Sequence, residues 1–203
     1  MLLQVEKIKK SFGTHRVFDG LSFTADRGEV VGILGGNGAG KTTLLRIINC
    51  LLEADGGQIL FEGHPMTRND LEVVGYLPEE RGLYRRMRVG EQVVFLARLK
   101  GLSKADAEAS VHEWFQRLGV EEWWRRPVSK LSKGMQQKVQ FVASVAHRPQ
   151  LLVLDEPFSG FDNENAAMLC REIKRLRAEG TAILLSTHNT EAARDLCTKI
   201  VRL

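Results

Sequence analysis

Cysteine is scarce in this chain. Three occur in 203 residues, Cys50, Cys170 and Cys197, far apart and with no CxxC pair. Neither a zinc site nor a dithiol redox motif is indicated, and buried thiols in a reducing compartment are expected. Long apolar runs are missing as well: none approaches the roughly 20 residues needed to span a bilayer. The opening MLLQVEKIKK is too polar for a secretory leader. These absences predict a soluble, cytoplasmic protein. The formal net charge is only +4. The one dense basic stretch, RGLYRRMR from Arg81 to Arg88, is shorter than the stripe or tail of a nucleic-acid binder, so no nucleic acid is expected. It reads equally as a solvated loop or as a contact surface for a protein partner. No internal repeat or low-complexity segment is present.

What remains is ordinary globular composition, with 43% hydrophobic and 27% charged residues. The length suits one sizeable core with an inserted subdomain better than two independent domains. LLQVEKI alternates and LSFTA precedes the turn DRGE, so the first thirty residues read as short strands and turns. VVGILG, Val30 to Gly35, is a continuous apolar run of the kind a strand buried on both faces shows. A helix is expected from Thr42 in TTLLRIINCLL, and QILFEG and EVVGYLP are strand candidates. From about Arg88 to His147 the spacing turns helical, in VGEQVVFLARLKG, KADAEASVHEWFQRLG and KGMQQKVQFVASVAH. Strand texture returns in QLLVLDEP and TAILLSTH. Between them lies an amphipathic helix that Asp162 could cap and Gly180 could end. TEAARDLC reads as another helix and KIVRL as a last strand, an ending that predicts a natural chain continuing beyond Leu203. Strands alternating with helices imply a mainly parallel sheet and an α/β fold.

Two stretches carry chemistry. The first is Gly35, Gly36, Asn37, Gly38, Ala39, Gly40, Lys41, Thr42 and Thr43, which fits G-x-x-x-x-G-K-[ST] with a strand before it and a helix after. Glycines let backbone N–H groups converge on phosphate oxygens, and the helix start adds positive potential. Lys41 would reach the β- and γ-phosphates, and the Thr42 hydroxyl would bind Mg²⁺. The second is LLVLDEP, four apolar residues ending in two carboxylates. Asp155 could support Mg²⁺ and Glu156 could polarise an attacking water. Alternation along a strand would point the two side chains differently, and the strand should emerge beside the phosphate loop.

The phosphate loop, then LSKGMQQK, LVLDEP, SGFD and STH in that order, resembles the ATPase cassette of ABC proteins over essentially the whole chain. The resemblance implies a P-loop NTPase core with a mainly parallel sheet, an N-terminal antiparallel β-subdomain, and an inserted α-helical subdomain. The core would cover about 1–87 and 148–203, and the helices about 88–147, in a single domain of 1–203. It implies ATP and Mg²⁺ as ligands, and a head-to-tail dimer that shares two ATP sites. Ser132, Lys133 and Gly134 would form part of the signature facing ATP on the partner. A serine near a helix start offers donors to an anion on physical grounds too. Lys133 and Met135 depart from the commoner LSGGQ. Lys133 would either add charge near the phosphate or point to solvent, with solvent favoured. SGFD would be the loop crossing the dimer interface, with Asp162 also free to cap its helix. His188 would contact the γ-phosphate and orient Glu156. Phe12 would stack on adenine, where otherwise it would be a core residue. Glu79, in YLPEERGLY, stands where the family usually has Gln and keeps an oxygen for Mg²⁺.

YLPEERGLY and LSKGMQQK look most like export cassettes whose membrane subunits are separate chains. The implied protein is an ATP-hydrolysing motor subunit. Its partners would be a second such subunit, identical or different, and transmembrane permease subunits at the inner face of the cell membrane. The permeases would dock near Glu79 and Arg81 to Arg88. Cassettes that act on ribosomes or chromosomes pair two cassettes in one chain or separate their halves by coiled coils. Here 114 positions separate Lys41 from Asp155, with no heptad array. A small-molecule P-loop kinase would leave LSKGMQQK and His188 without a role.

Overall fold

Three strands set the centre of the molecule. β3 (Val30–Leu34), β7 (Leu151–Asp155) and β8 (Ala182–Thr187) are buried at every position. A computed structural model describes residues 1–80, 82–188 and 194–203. In it these strands join β6 (Val74–Leu77) and β9 (Lys199–Arg202) in a sheet of order β6-β7-β8-β3-β9. Every pairing in this sheet is parallel.

Period-2 alternation divides these strands between two cores. Val31, Ile33, Leu151, Val153, Ala182 and Leu184 face one side, with α1 (Lys41–Ile48) and the buried face of a second sheet. That second sheet is antiparallel, of order β2-β1-β4-β5, built from β1 (Leu3–Phe12), β2 (His15–Ala25), β4 (Gly56–Phe61) and β5 (His64–Pro65). Val30, Leu152, Leu154, Ile183 and Leu185 face the opposite side. Their core is continuous with α2 (Val89–Leu99), α3 (Lys104–Leu118), α4 (Lys133–Val145) and α5 (Asn163–Ala178). The sheet is apolar on both faces because both are covered.

Local chemistry sets the helix ends. Ser103 caps α3 by accepting from the Asp106 N–H at 3.1 Å. Asp162 caps α5 by accepting from the Asn165 N–H at 2.8 Å, and Gly180 (φ +96°) follows its end. The helix expected over TTLLRIINCLL stops at Ile48. Asn49 turns its amide back onto the Leu45 carbonyl at 2.8 Å, and Cys50 adopts φ +52°. The opening strands are longer than alternation alone predicts, since β1 pairs on both edges and β2 starts at His15 rather than Leu21. The first half of the helix expected over TEAARDLC, and Arg81 of the basic run, lie outside the described residues. Among the described residues no helix is long and apolar enough to cross a membrane.

Candidate nucleotide site

The turn after β3 is shaped by what surrounds it. Gly40 has φ +98°, and a Cβ there would lie 2.4 Å from Val17 Cγ1 and 2.9 Å from Phe18 Cζ. The β2 strand therefore presses on the loop where it enters α1, and only glycine fits. Helix α1 begins without a side-chain cap or an acidic residue in its first turn. Its first N–H groups are left free to meet an anion. Lys41 is 6% exposed, and its ammonium donates to the carbonyls of Gly35 (2.8 Å) and Gly36 (3.1 Å).

The β7 edge supplies the carboxylates. Asp155, fully buried, is the last residue of the strand and pairs in register with Ser186 of β8. The Ser186 hydroxyl donates to Asp155 Oδ1 at 2.5 Å and accepts from the Glu156 N–H at 3.0 Å. Asp155 Oδ2 is buried with no hydrogen-bond partner among the described groups. Glu156 sits at φ +45°, a left-handed backbone that is uncommon outside glycine. Its carboxylate stands 3.4 Å from Lys41 Nζ and 3.1 Å from His188 Nδ1 through each oxygen. One carboxylate thus bridges a buried ammonium and an exposed imidazole.

The β7 strand emerges beside the glycine-rich loop, as expected, with Glu156 lining the same cleft, although β8 is hydrogen-bonded between β3 and β7. One expectation about this edge is corrected: strand alternation does not separate the two carboxylates, since the strand ends at Asp155. The positive φ of Glu156 turns its side chain toward Lys41 and His188.

A cleft of about 440 Å³ is lined by Gly36, Asn37, Gly38, Gly40, Lys41, Thr42, Thr43, Glu79, Glu156, Ser159 and His188. A second, of about 410 Å³, adjoins it through Thr42 and Glu79 and reaches Asp155, Tyr76 and Arg46. Burial, with Asp155 next, pushes the Tyr76 phenol up to about 12. Phe12, Ser132, Lys133, Gly134 and Asp162 line neither cleft. Phe12 is 51% exposed at the end of β1, so it is no core residue, and Lys10 Nζ lies 5.4 Å from its ring centre. Ser132 is exposed and caps α4, accepting from the Met135 N–H at 3.3 Å, and Lys133 is exposed beside it. Ser186 and Tyr76 carry no role of their own in the sequence reading, and Ser159 enters it only as part of SGFD. Ser186 had one signal, a hydroxyl ending the otherwise apolar run of β8.

A parallel α/β sheet with a glycine-rich turn at a helix N-terminus and paired carboxylates beside it defines a P-loop nucleotide-binding protein. The comparisons narrow this. The family model described as ABC transporter matches residues 18–159, and one described as an AAA domain matches 125–194. The ABC transporter ATP-binding protein YhaQ of Bacillus subtilis is 42% identical over 97% of this chain. The Nod factor export ATP-binding protein I of Paraburkholderia xenovorans is 34% identical over 98%. The chain spans 66% of the length of each of these two relatives. A solved structure of an ATP binding subunit of an ABC transporter superposes over 100% of this chain and 86% of its own, with a TM-score of 0.91 and 32% identity. This chain belongs to the ABC transporter ATP-binding family.

Proposed function

We propose that the chain is the ATP-hydrolysing motor subunit of a membrane exporter, working as a head-to-tail dimer with two shared ATP sites. Residues 1–203 would be one ATPase domain, its core 1–87 and 148–203 and its helical subdomain 88–147. The observation that carries the reading is the Lys41–Glu156–His188 constellation at the mouth of the glycine-rich loop. It has the parts phosphoryl transfer to water requires: a cation for phosphate charge, a base for the water, and a group that orients the base.

ATP phosphates would take up the Lys41 ammonium and the N–H groups at the start of α1, drawing Lys41 away from Glu156. The Glu156 carboxylate, held by His188, would then accept the proton of the attacking water. The residues also fit a divalent cation. Asp155 Oδ2 is buried and unpartnered at a cleft that Thr42 and Glu79 line as well. Among the described residues no cluster of three acidic, His or Cys side chains could hold a metal without such help. Thr42, Asp155 and Glu79 would hold Mg²⁺, which when bound neutralises charge on the phosphate oxygens.

Ser132, Lys133 and Gly134 lie outside the clefts, which suits a signature that serves the partner's ATP rather than this subunit's. The exposed ring of Phe12 is free to stack on adenine, and Asp162 would lie at the dimer interface. Export is favoured by the YLPEERGLY and LSKGMQQK segments and by the Nod factor export relative. The partners would be a second such subunit and transmembrane permeases, attaching the chain to the inner face of the cell membrane. The test is light scattering of Glu156→Gln protein with and without ATP and Mg²⁺, alongside ATP turnover. A monomer that dimerises only with ATP, and that has lost turnover, is expected. Native turnover in that variant would refute the role of Glu156, and a persistent monomer with ATP bound would refute the shared sites.

A further inference from the structure

Helix α4 carries two buried glutamines three positions apart, Gln137 and Gln140, so they share one face. Each donates its side-chain amide to backbone next to a carboxylate of the site. Gln137 Nε2 donates to the Pro157 carbonyl at 3.2 Å, one residue after Glu156. Gln140 Nε2 donates to the carbonyls of Pro78 (3.1 Å) and Glu80 (3.2 Å), the two that flank Glu79. The neighbours of Gln140 on the helix, Val139, Phe141 and Val142, are plain core residues. Gln140 is not: its Oε1 is buried with no partner among the described groups. An unmet amide oxygen disfavours the fold, so packing alone gives no reason for glutamine here. Gln140 lines neither cleft.

We infer that Gln140 is a positioning residue for Glu79: it ties the backbone on both sides of Glu79 to α4, so that the Ser132 end of the helix and the Glu79 carboxylate move as one body. The inference rests on the proposed ATPase reading. In a head-to-tail dimer, Ser132 serves one nucleotide while Glu79 serves the other. The Gln140 bonds would carry displacement of α4 from one site to the metal-binding side of the second.

The experiment is a double-mutant cycle on the full chain. It uses Gln140→Met, which keeps length but cannot donate, Glu79→Ala, and the two together. The readout is ATP affinity by isothermal titration with Mg²⁺ and with chelator, and each variant's thermal midpoint is checked first. Each single change is expected to cut the Mg²⁺-dependent gain in affinity by about tenfold, as loss of an outer-shell partner does. Metal-free affinity should hold, and the double variant should be no worse than Glu79→Ala alone. A native response in Gln140→Met, no effect of Glu79→Ala, or effects that multiply would each overturn the inference. If Gln140→Met does not fold, Gln140→Ala, which cannot clash, replaces it. If neither folds, Gln140 is a stability residue and the inference fails. Absence of ATP binding in the unaltered chain would instead bring down the proposed function, and the inference with it.

Discussion

Ser186 is one oxygen on which two carboxylate residues depend, and its removal gives the sharpest test of the site. In Ser186→Ala, the buried Asp155 carboxylate loses its side-chain donor among the described residues and the Glu156 N–H loses the hydroxyl it donates to. A hydrogen bond to a charged group contributes about 1.5–3 kcal/mol, and a buried donor left unpaired costs about 1–3 kcal/mol. The two losses share one atom and one small space, so they do not simply add. About 3 kcal/mol of destabilisation is expected, a large part of the roughly 5–15 kcal/mol that holds a domain together. Urea unfolding at neutral pH measures it, as a lower midpoint at unchanged slope. ATP turnover should fall as well, because Glu156 holds its left-handed conformation through the same hydroxyl. Ser159→Ala, at an exposed position in the cleft that Glu156 lines, is the control and should stay within about 0.5 kcal/mol. A Ser186→Ala deficit no larger than that control would refute the claim that this hydroxyl organises the two carboxylates.

Gly40→Ala should destabilise the fold by about 3 kcal/mol, from a strained positive φ and a Cβ driven into Val17 and Phe18. It should also weaken ATP binding, and retention of native affinity would show that the loop can relax away from β2. Ser132→Ala removes an N-cap worth about 1 kcal/mol, which thermal unfolding reads. If Ser132 also serves the partner's nucleotide, turnover should fall far more than that loss explains, and matched small losses would leave it a cap alone. His147 lies 8% exposed, and burial, with Lys100 next, lowers its pKa from 6.5 to about 4. The unfolded chain therefore takes the proton first, so stability present above pH 6.5 is lost as pH falls toward about 4, by about 3 kcal/mol at most. His147→Leu should flatten that part of the stability–pH curve, and an unchanged slope would show that another group sets it.

Most of the architecture and many residues of the candidate site were legible in the residue pattern. Continuous apolar runs such as VVGIL and LLVLD cannot be solvated on either face, so they had to become central strands with layers above and below. The turn between β3 and α1 is written in glycines and a lysine whose spacing is itself the phosphate-binding geometry. Asp162 marked the start of α5 and Gly180 its end because capping depends on local backbone groups. Tertiary structure alone decided three things, each of which depends on residues distant in the chain. It put β8 between β3 and β7, which no strand pattern encodes, and so brought Ser186 under both carboxylates. It turned Glu156 through a positive φ, a conformation that the residue type does not announce, and so set its carboxylate between Lys41 and His188. And it laid Gln140 against Pro78 and Glu80, some sixty residues earlier, because only the packing of α4 on the edge of the sheet closes that distance.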